Sequence, residues 1–359
     1  MAESNLIQRQ YHFDYLRVFA SMAVILLHVT AQGIYNVKVA CTVWNFYNIF
    51  NGATRWGVPV FVMMSGALFL SREIPVKILY KKYILRMAIA YIVWTLFYSV
   101  AIPIVKMIFE EGYRVNFVDF IRNFILGAYH LWFLPMIIGL YMCIPLIKQL
   151  IQTDNLIKYF LMLSFVFCFV KTQTESVTNS LLNGNAQIIF ENINTVFKNF
   201  NVELVMGYVS YFILGFYLNK TEISKKQRTI IYFLGMMGLV FTIILTLFAS
   251  KNANILSQAF YSNSSINVLL MSVAIFIWFK YNAKGNKRLN KIIPKLSQHS
   301  FGAFLVHVFI LEFLKAVGFS CETLHPVLAV PAITIFTIVA SYLISLLLNK
   351  IPVIKKYLV

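Results

Sequence analysis

Long apolar runs are the feature that most constrains how this chain can fold. Ten of them follow one another along the 359 residues, and most approach the roughly 20 residues that a helix needs to cross a membrane. Backbone groups in lipid must find their partners within the protein, so we predict an all-α, polytopic membrane protein. The predicted spans are 13–35, 51–70, 83–106, 130–150, 156–171, 203–219, 229–250, 262–280, 299–318 and 326–348.

The composition excludes a large soluble protein. Hydrophobic residues make up 60% of the chain and charged residues only 12%, about half the charged share of an average soluble domain. No internal repeat is evident, and no glycine-rich phosphate loop follows a strand. We therefore expect a single integral-membrane domain over residues 1–359, in contact with membrane lipid, with one long polar loop outside the membrane at about 172–202.

The basic residues predict how the chain is oriented. The sequence has 31 Lys and Arg residues against 13 Asp and Glu. With a cytoplasmic N-terminus, 20 of the 31 fall in cytoplasmic segments, seven in outside segments and four within spans. This positive-inside bias predicts that both termini are cytoplasmic. Because the basic residues cluster in short loops with few aromatic residues between them, we expect no nucleic-acid partner.

The first span carries a polar stripe that includes Arg17 and His28. The two are eleven positions apart, which is three helical turns plus about 20°, so they share a face, with His28 about 16 Å further along the helix. Such a stripe belongs against protein or water rather than lipid. Burial and a nearby arginine both disfavour a charged imidazole, so His28 is expected to be neutral and able to accept a proton. Packing, or a hydrogen bond between helices, is the alternative role for a buried histidine.

Polar groups also occur in the second and third spans. Arg55 is expected toward the outside and Ser65 toward the inside of the second span. The third span opens with Lys82 and Arg86 at its cytoplasmic end. These two residues would suit a phosphate group, or would simply anchor the helix at the membrane surface.

Two later spans contain the remaining candidate site residues, and the cysteines are considered for a metal site or a disulfide. His130 and Trp132 open the fourth span near the outer interface, and His307 lies at mid-membrane depth in the ninth. The cysteines show no metal-ligand spacing, and we predict no metal site. A disulfide between Cys41 and Cys321, both in outside loops, is left open.

These residues resemble one known family. From about residue 11 to 347 the sequence is similar to the integral-membrane acyltransferase 3 family, and within it to the surface polysaccharide O-acyltransferase branch. The most specific element is the Arg-x10-His motif, met by Arg17 and His28 in "FDYLRVFASMAVILLH". Supporting matches, in order, are "VPVFVMMSGALFL", the basic opening of the third span ending at Arg86, "HLWFLP" and "SFGAFLVHVFIL".

The resemblance implies transfer of an acyl group, commonly acetyl, from cytoplasmic acyl-CoA to a carbohydrate hydroxyl, in a bacterial cell membrane. Acyl-CoA would be a donor substrate and not a permanently bound cofactor. His28 matches the family's essential histidine and Arg17 its motif arginine. The third span reads Lys82-Tyr-Ile-Leu-Arg86 where the family has a pair of arginines.

The residue roles follow as hypotheses. His28 would act as general base on the acceptor hydroxyl, and direct attack by His28 to form an acyl-imidazole is the rival mechanism. Candidate residues are Arg86, Lys82 and Ser65 for the donor; Arg55, His130, Trp132 and His307 for the acceptor; and Ser65, Arg55 and His307 for the oxyanion. A proton- or anion-coupled secondary transporter is the alternative function, because transporters also keep polar residues within their spans.

Overall fold

Helices form all the long elements of this computed structural model, which describes residues 10–283, 289–321 and 325–359. No strand occurs in those ranges, so the predicted all-α polytopic fold is confirmed. The predicted cytoplasmic N-terminus, residues 1–9, lies outside them. The helices are α1 Tyr11–Ile34, α2 Thr42–Ala53, α3 Gly57–Leu70, α4 Val76–Phe109, α5 Phe117–Leu126, α6 Phe133–Met142, α7 Ile144–Leu150, α8 Asp154–Leu181, α9 Gly184–Asn199, α10 Tyr208–Lys220, α11 Lys225–Ala253, α12 Ile266–Asn282, α13 Leu289–Ala316, α14 Pro326–Leu348 and α15 Pro352–Tyr357.

The number of spans differs from the ten expected. In the described ranges eight helices, with α2 and α3 counted together, are long and apolar enough to cross a membrane, or nine if α6 and α7, which meet at 58°, form one span. The difference falls on predicted span 203–219. There α10 begins only at Tyr208 and has 13 residues, fewer than the roughly 20 that a membrane span needs.

Close packing against α3 holds this short helix in the bundle. A Cβ atom on Gly66 of α3 would lie 1.8 Å from the carbonyl oxygen of Phe212, and one on Gly215 of α10 would lie 2.0 Å from that of Met63. Glycine on both helices therefore lets the two backbones touch, as small residues do where membrane helices pack closely. The surrounding side chains belong to the largest buried cluster of the protein.

The polar segment 172–202 is helical over most of its length, which corrects the predicted loop. Helix α8 continues to Leu181, with a π-helical stretch at Phe165–Val170, and α9 packs back against its end. Thr174 Oγ1 donates to Asn194 Oδ1 (2.8 Å), and Asn194 Nδ2 donates to Thr178 Oγ1 (3.2 Å). The polar residues that indicated a loop instead hold two helices together.

Helix α1 lies at the centre of the bundle, in contact with α2, α3, α12, α13 and α14. The second predicted span, 51–70, begins earlier than expected, at Thr42, and is interrupted between α2 and α3 at residues 54–56. That interruption places Arg55 inside the bundle. All four cysteines are free thiols, so the possible disulfide between Cys41 and Cys321 is not formed.

Candidate active site

A hydrogen-bonded pair of histidines lies at the centre of the bundle. His28 on α1 and His307 on α13 stack with ring centroids 5.0 Å apart and planes only 9° from parallel. The Nδ1 atom of His28 is 2.7 Å from the Nε2 atom of His307. His307 is completely buried, whereas His28 keeps part of its surface exposed. Residues far apart in the sequence thus form one polar centre.

The hydrogen-bond partners fix the proton positions in a neutral pair. His307 Nδ1 lies 2.5 Å from the carbonyl oxygen of Phe304, which can only accept, so this nitrogen carries a hydrogen. His307 Nε2 must then accept, and the hydrogen between the rings belongs to His28 Nδ1. The lone pair of His28 is therefore on Nε2, which has no hydrogen-bond partner in the described part of the chain.

Tyr98 of α4 shapes the helical turn that carries His307, a role that the sequence analysis missed. Its hydroxyl donates to the carbonyl oxygen of Leu305 (2.7 Å) and accepts from the amide of Phe309 (3.1 Å). These two groups are the donor and acceptor positions of one turn of α13. The only sequence signal was a tyrosine in an apolar span, where packing is the ordinary role.

His130 joins this centre, while Trp132 does not. His130 is buried, its ring centroid lies 5.0 Å from that of His307, and its Nε2 atom is 3.3 Å from the Leu305 carbonyl oxygen. Trp132 lies instead against Tyr208, at a centroid distance of 5.7 Å. Although three histidines meet, no group of three His, Cys, Asp or Glu residues within the described ranges could hold a metal ion.

A basic cavity of about 340 Å³ approaches the histidine pair from one side. Arg17, Ser65 and Arg86 line it together, and Val24 and Phe304 form part of its wall. Val24 lies one turn before His28, and the Phe304 carbonyl is the group that holds His307. The cavity therefore leads along α1 toward the pair.

The arginines of the basic cavity have protein partners. Arg17 Nη1 donates to Ser297 Oγ at 3.2 Å. Arg86 donates to the carbonyl oxygen of Val359, while its Nε atom is buried and has no hydrogen-bond partner in the described ranges. Lys82 does not line the cavity, since it is exposed and lies near the ring of Tyr83.

A second cavity, of about 390 Å³, contains Arg55 and is mostly polar. We call it the Arg55 cavity; it is lined by Arg55, Tyr208, Gln258, Tyr261, Ser262, Asn263 and Ser264. Of these residues only Arg55 was a candidate from the sequence, because isolated polar residues in a loop carry no pattern.

Asn51 connects the Arg55 cavity to the turn of α1 that carries His28. Arg55 donates to Asn51 Oδ1. Asn51 Nδ2 in turn donates to the carbonyl oxygen of Leu27 (3.2 Å) and to Thr30 Oγ1 (2.9 Å). Leu27 and Thr30 flank His28, whereas the basic cavity contacts α1 earlier, at Arg17 and Val24. His28 itself lines neither cavity, and along α1 the basic cavity lies before it while Asn51 joins the Arg55 cavity to its own turn.

The fold and this site define a class of protein: an integral-membrane helix bundle with a buried polar centre and two cavities. Within that class, residues 10–346 match the sequence model of the family described as an acyltransferase domain, the acyltransferase 3 family, and the chain belongs to it. It is therefore a membrane acyltransferase. Comparisons with curated proteins and with solved structures give no match.

Proposed function

We propose that this protein is an O-acyltransferase of the bacterial cell membrane. It moves an acyl group, commonly acetyl, from cytoplasmic acyl-CoA to a hydroxyl of a cell-surface carbohydrate. The observation that carries the proposal is His28 Nε2, which has no hydrogen-bond partner among the described residues and lies at the centre of a bundle that also contains a basic and a polar cavity. A nitrogen with a free lone pair can accept the proton of an alcohol as that alcohol attacks.

The basic cavity is the proposed donor site. Coenzyme A carries phosphates, and arginine binds phosphate with parallel, charge-assisted hydrogen bonds. Arg86, whose Nε atom has no hydrogen-bond partner among the described residues, would hold a phosphate, and Lys82 lies one helical turn away on the exposed surface. The thioester arm would then pass Arg17 and Ser65 toward His28, along walls that the structure places in one cavity.

The proposed reaction is direct transfer with His28 as general base. The acceptor oxygen attacks the thioester carbonyl carbon while its proton passes to His28 Nε2. The carbon–sulfur bond then breaks, and the departing thiolate recovers that proton, so that free coenzyme A leaves. During this step His28 is positively charged, and its Nδ1–H bond to His307 strengthens, because hydrogen bonds from charged donors are stronger than neutral ones.

The hydrogen-bond pattern narrows the candidates for the oxyanion stabiliser. Both ring nitrogens of neutral His307 are engaged, one toward Phe304 and one toward His28. His307 therefore has no hydrogen to donate to an oxyanion, which leaves Ser65 and Arg55 of the original three. The rival mechanism, attack by His28 itself, would form an acyl-imidazole and give ping-pong kinetics.

The test is transfer of radiolabel from acetyl-CoA to the cell-surface carbohydrate fraction in membranes that contain the protein. His28→Ala removes the base and is expected to lower transfer by about 10²–10⁴-fold. His325→Ala is the matched control, because this histidine is exposed at the start of α14. Transfer by His28→Ala near the wild-type rate would contradict the mechanism, and no transfer by the wild type would contradict the acetyl donor or the carbohydrate acceptor.

A further inference from the structure

We infer that the Arg55 cavity binds an anionic group of the acceptor, a carboxylate or a phosphate, next to the hydroxyl that is acylated. The inference rests on the proposed function, since it assigns this cavity to the acceptor. It adds the charge of the acceptor, which neither the family nor the sequence indicates, and the residues that recognise it.

The charge of Arg55 lacks an acidic partner within the part of the chain that the structure describes. The ion pairs found there involve other residues, and no aspartate or glutamate lines the cavity. The guanidinium contacts the Asn51 amide and lies 3.9 Å from the centre of the Tyr261 ring, while its Nε atom is buried with no hydrogen-bond partner among the residues described. An arginine within a membrane bundle is costly unless it is paired, so a negative group on the ligand would supply the missing charge.

The contact with Tyr261 does not replace such a group. A cation over an aromatic ring gains about 0.5–2 kcal/mol, and the Tyr261 hydroxyl is already used in a 2.5 Å bond to Asn48 Oδ1. The ring therefore holds the guanidinium in place without neutralising it. Arg55 is a partly exposed residue that lines the cavity, where a carboxylate or phosphate could accept two parallel hydrogen bonds.

The other walls suit a hydroxylated ligand. Asn263 Nδ2 donates to the Tyr208 hydroxyl (2.7 Å), and Asn263 Oδ1 has no hydrogen-bond partner among the described residues. The Tyr208 hydroxyl accepts from Asn263 and can still donate to a ligand. Trp132 packs on Tyr208 and adds an aromatic surface beside the cavity. The volume of about 390 Å³ is within the roughly 300–1,000 Å³ of small-molecule sites.

The position of the cavity connects anion binding to catalysis. Asn51 bonds both to Arg55 and to the turn of α1 that carries His28, so an anion held by Arg55 is fixed relative to His28 Nε2. Gln258 Nε2 donates to the Tyr35 hydroxyl (2.6 Å), beyond the last turn of α1, and so joins the cavity wall to the same helix. A hydroxyl next to the anionic group would thus be held near the base.

The experiment measures binding without acyl-CoA, on the purified full chain in detergent, by saturation-transfer NMR. The probes are methyl glucoside, methyl glucuronide and methyl glucoside 6-phosphate, which share a sugar ring and differ in charge. We expect the wild type to bind at least one acidic probe about tenfold or more tightly than the neutral one, since a hydrogen bond to a charged group is among the stronger ones. Arg55→Gln should remove this preference and Arg55→Lys should keep part of it, whereas Arg122→Gln, in exposed α5, should keep all of it.

Each outcome decides the inference. A preference for the glucuronide points to a carboxylate and a preference for the phosphate to a phosphoryl group, and either supports it. Equal binding of all three probes by the wild type, or an unchanged preference in folded Arg55→Gln, overturns it. If Arg55→Gln instead slows acetyl transfer equally to every acceptor without changing binding, Arg55 stabilises the oxyanion and the inference is wrong.

Binding and transfer can fail separately. Because the binding assay contains no donor, an acidic preference without any acyl transfer would retain the anion site and reject the proposed function. Acyl transfer without a preference for acidic probes would retain the proposed function and reject the anion site. Elution as a monodisperse peak identifies the variants that are folded, and the wild-type comparison does not depend on any variant.

Discussion

At the scale of single residues, the direction of one chain of hydrogen bonds determines what His28 can do. The Phe304 carbonyl can only accept, so His307 donates to it and accepts from His28. Reversing this order would place the His28 lone pair between the rings, where no substrate could use it. A backbone carbonyl of α13 thus sets the tautomer of a side chain on α1.

Replacing His307 tests this arrangement. His307→Leu removes the acceptor for His28 Nδ1–H and should lower kcat by about tenfold or more, because a hydrogen bond to a charged group contributes about 1.5–3 kcal/mol. His307→Gln can still accept through its amide oxygen and should retain more activity. Because His307 does not line the basic cavity, KM for acetyl-CoA should be unchanged in both.

Steady-state kinetics of acetyl transfer separate the two effects. Equal kcat values for folded His307→Leu and His307→Gln would show that the hydrogen bond to His28 does not matter for the reaction. A rise in KM with unchanged kcat would place His307 in substrate binding instead.

At the scale of helices, the site depends on polar contacts at two particular places. The break between α2 and α3 at residues 54–56 brings Arg55 into the bundle. In α13, which is a continuous helix, the Tyr98 hydroxyl bonds to both the Leu305 carbonyl and the Phe309 amide around His307. These two bonds tie α4 to the turn that carries His307.

Because α10 packs closely on α3, we predict that adding one methyl group at their contact will destabilise the protein. Gly215→Ala would place its Cβ atom 2.0 Å from the Met63 carbonyl oxygen, so the helices must separate, at a cost of about 1–3 kcal/mol or more. Gly139→Ala is the matched control, since its Cβ atom would meet nothing within 4 Å.

Thermal unfolding of the purified protein in detergent measures this difference. We expect a lower Tm for Gly215→Ala, and an unchanged or slightly higher Tm for Gly139→Ala, because alanine favours helix over glycine. Similar Tm values for the two variants would show that the close contact of α3 and α10 is not required.

At the scale of the whole molecule, the presence of two distinct cavities distinguishes the proposed enzyme from a transporter. An acyltransferase needs a donor site and an acceptor site that remain on their own sides of the membrane. A transporter exposes one central site to each side in turn. Cavity residues would therefore be accessible from one side of the membrane in an acyltransferase and from both sides in a transporter.

Cysteine accessibility tests this distinction in a variant whose four native cysteines are replaced by alanine. Ser65→Cys in the basic cavity should react with an impermeant thiol reagent only from the cytoplasmic side, and Asn263→Cys in the Arg55 cavity only from the outside. Labelling of either position from both sides, in inside-out and right-side-out vesicles, would favour the transporter and contradict the proposed topology.

The sequence by itself determined the fold class and part of the site. Runs of about 20 apolar residues leave helices as the main way to satisfy the backbone in lipid, and helical periodicity alone placed Arg17 and His28 on one face of α1. The structure brings Arg17 to the cavity that also contains Ser65 and Arg86. The fold class is confirmed because it depends on local geometry, which the order of residues fixes.

Tertiary structure decided the rest. Only packing brought His307 to His28, moved His130 into the same centre and left Lys82 outside the basic cavity. The helical segment 172–202 and the short α10 likewise depend on hydrogen bonds and glycine contacts between helices. Hydrophobic periodicity records which face of a helix is buried, but not which neighbour covers it. The pairing of His28 with His307 therefore became visible only in the assembled bundle.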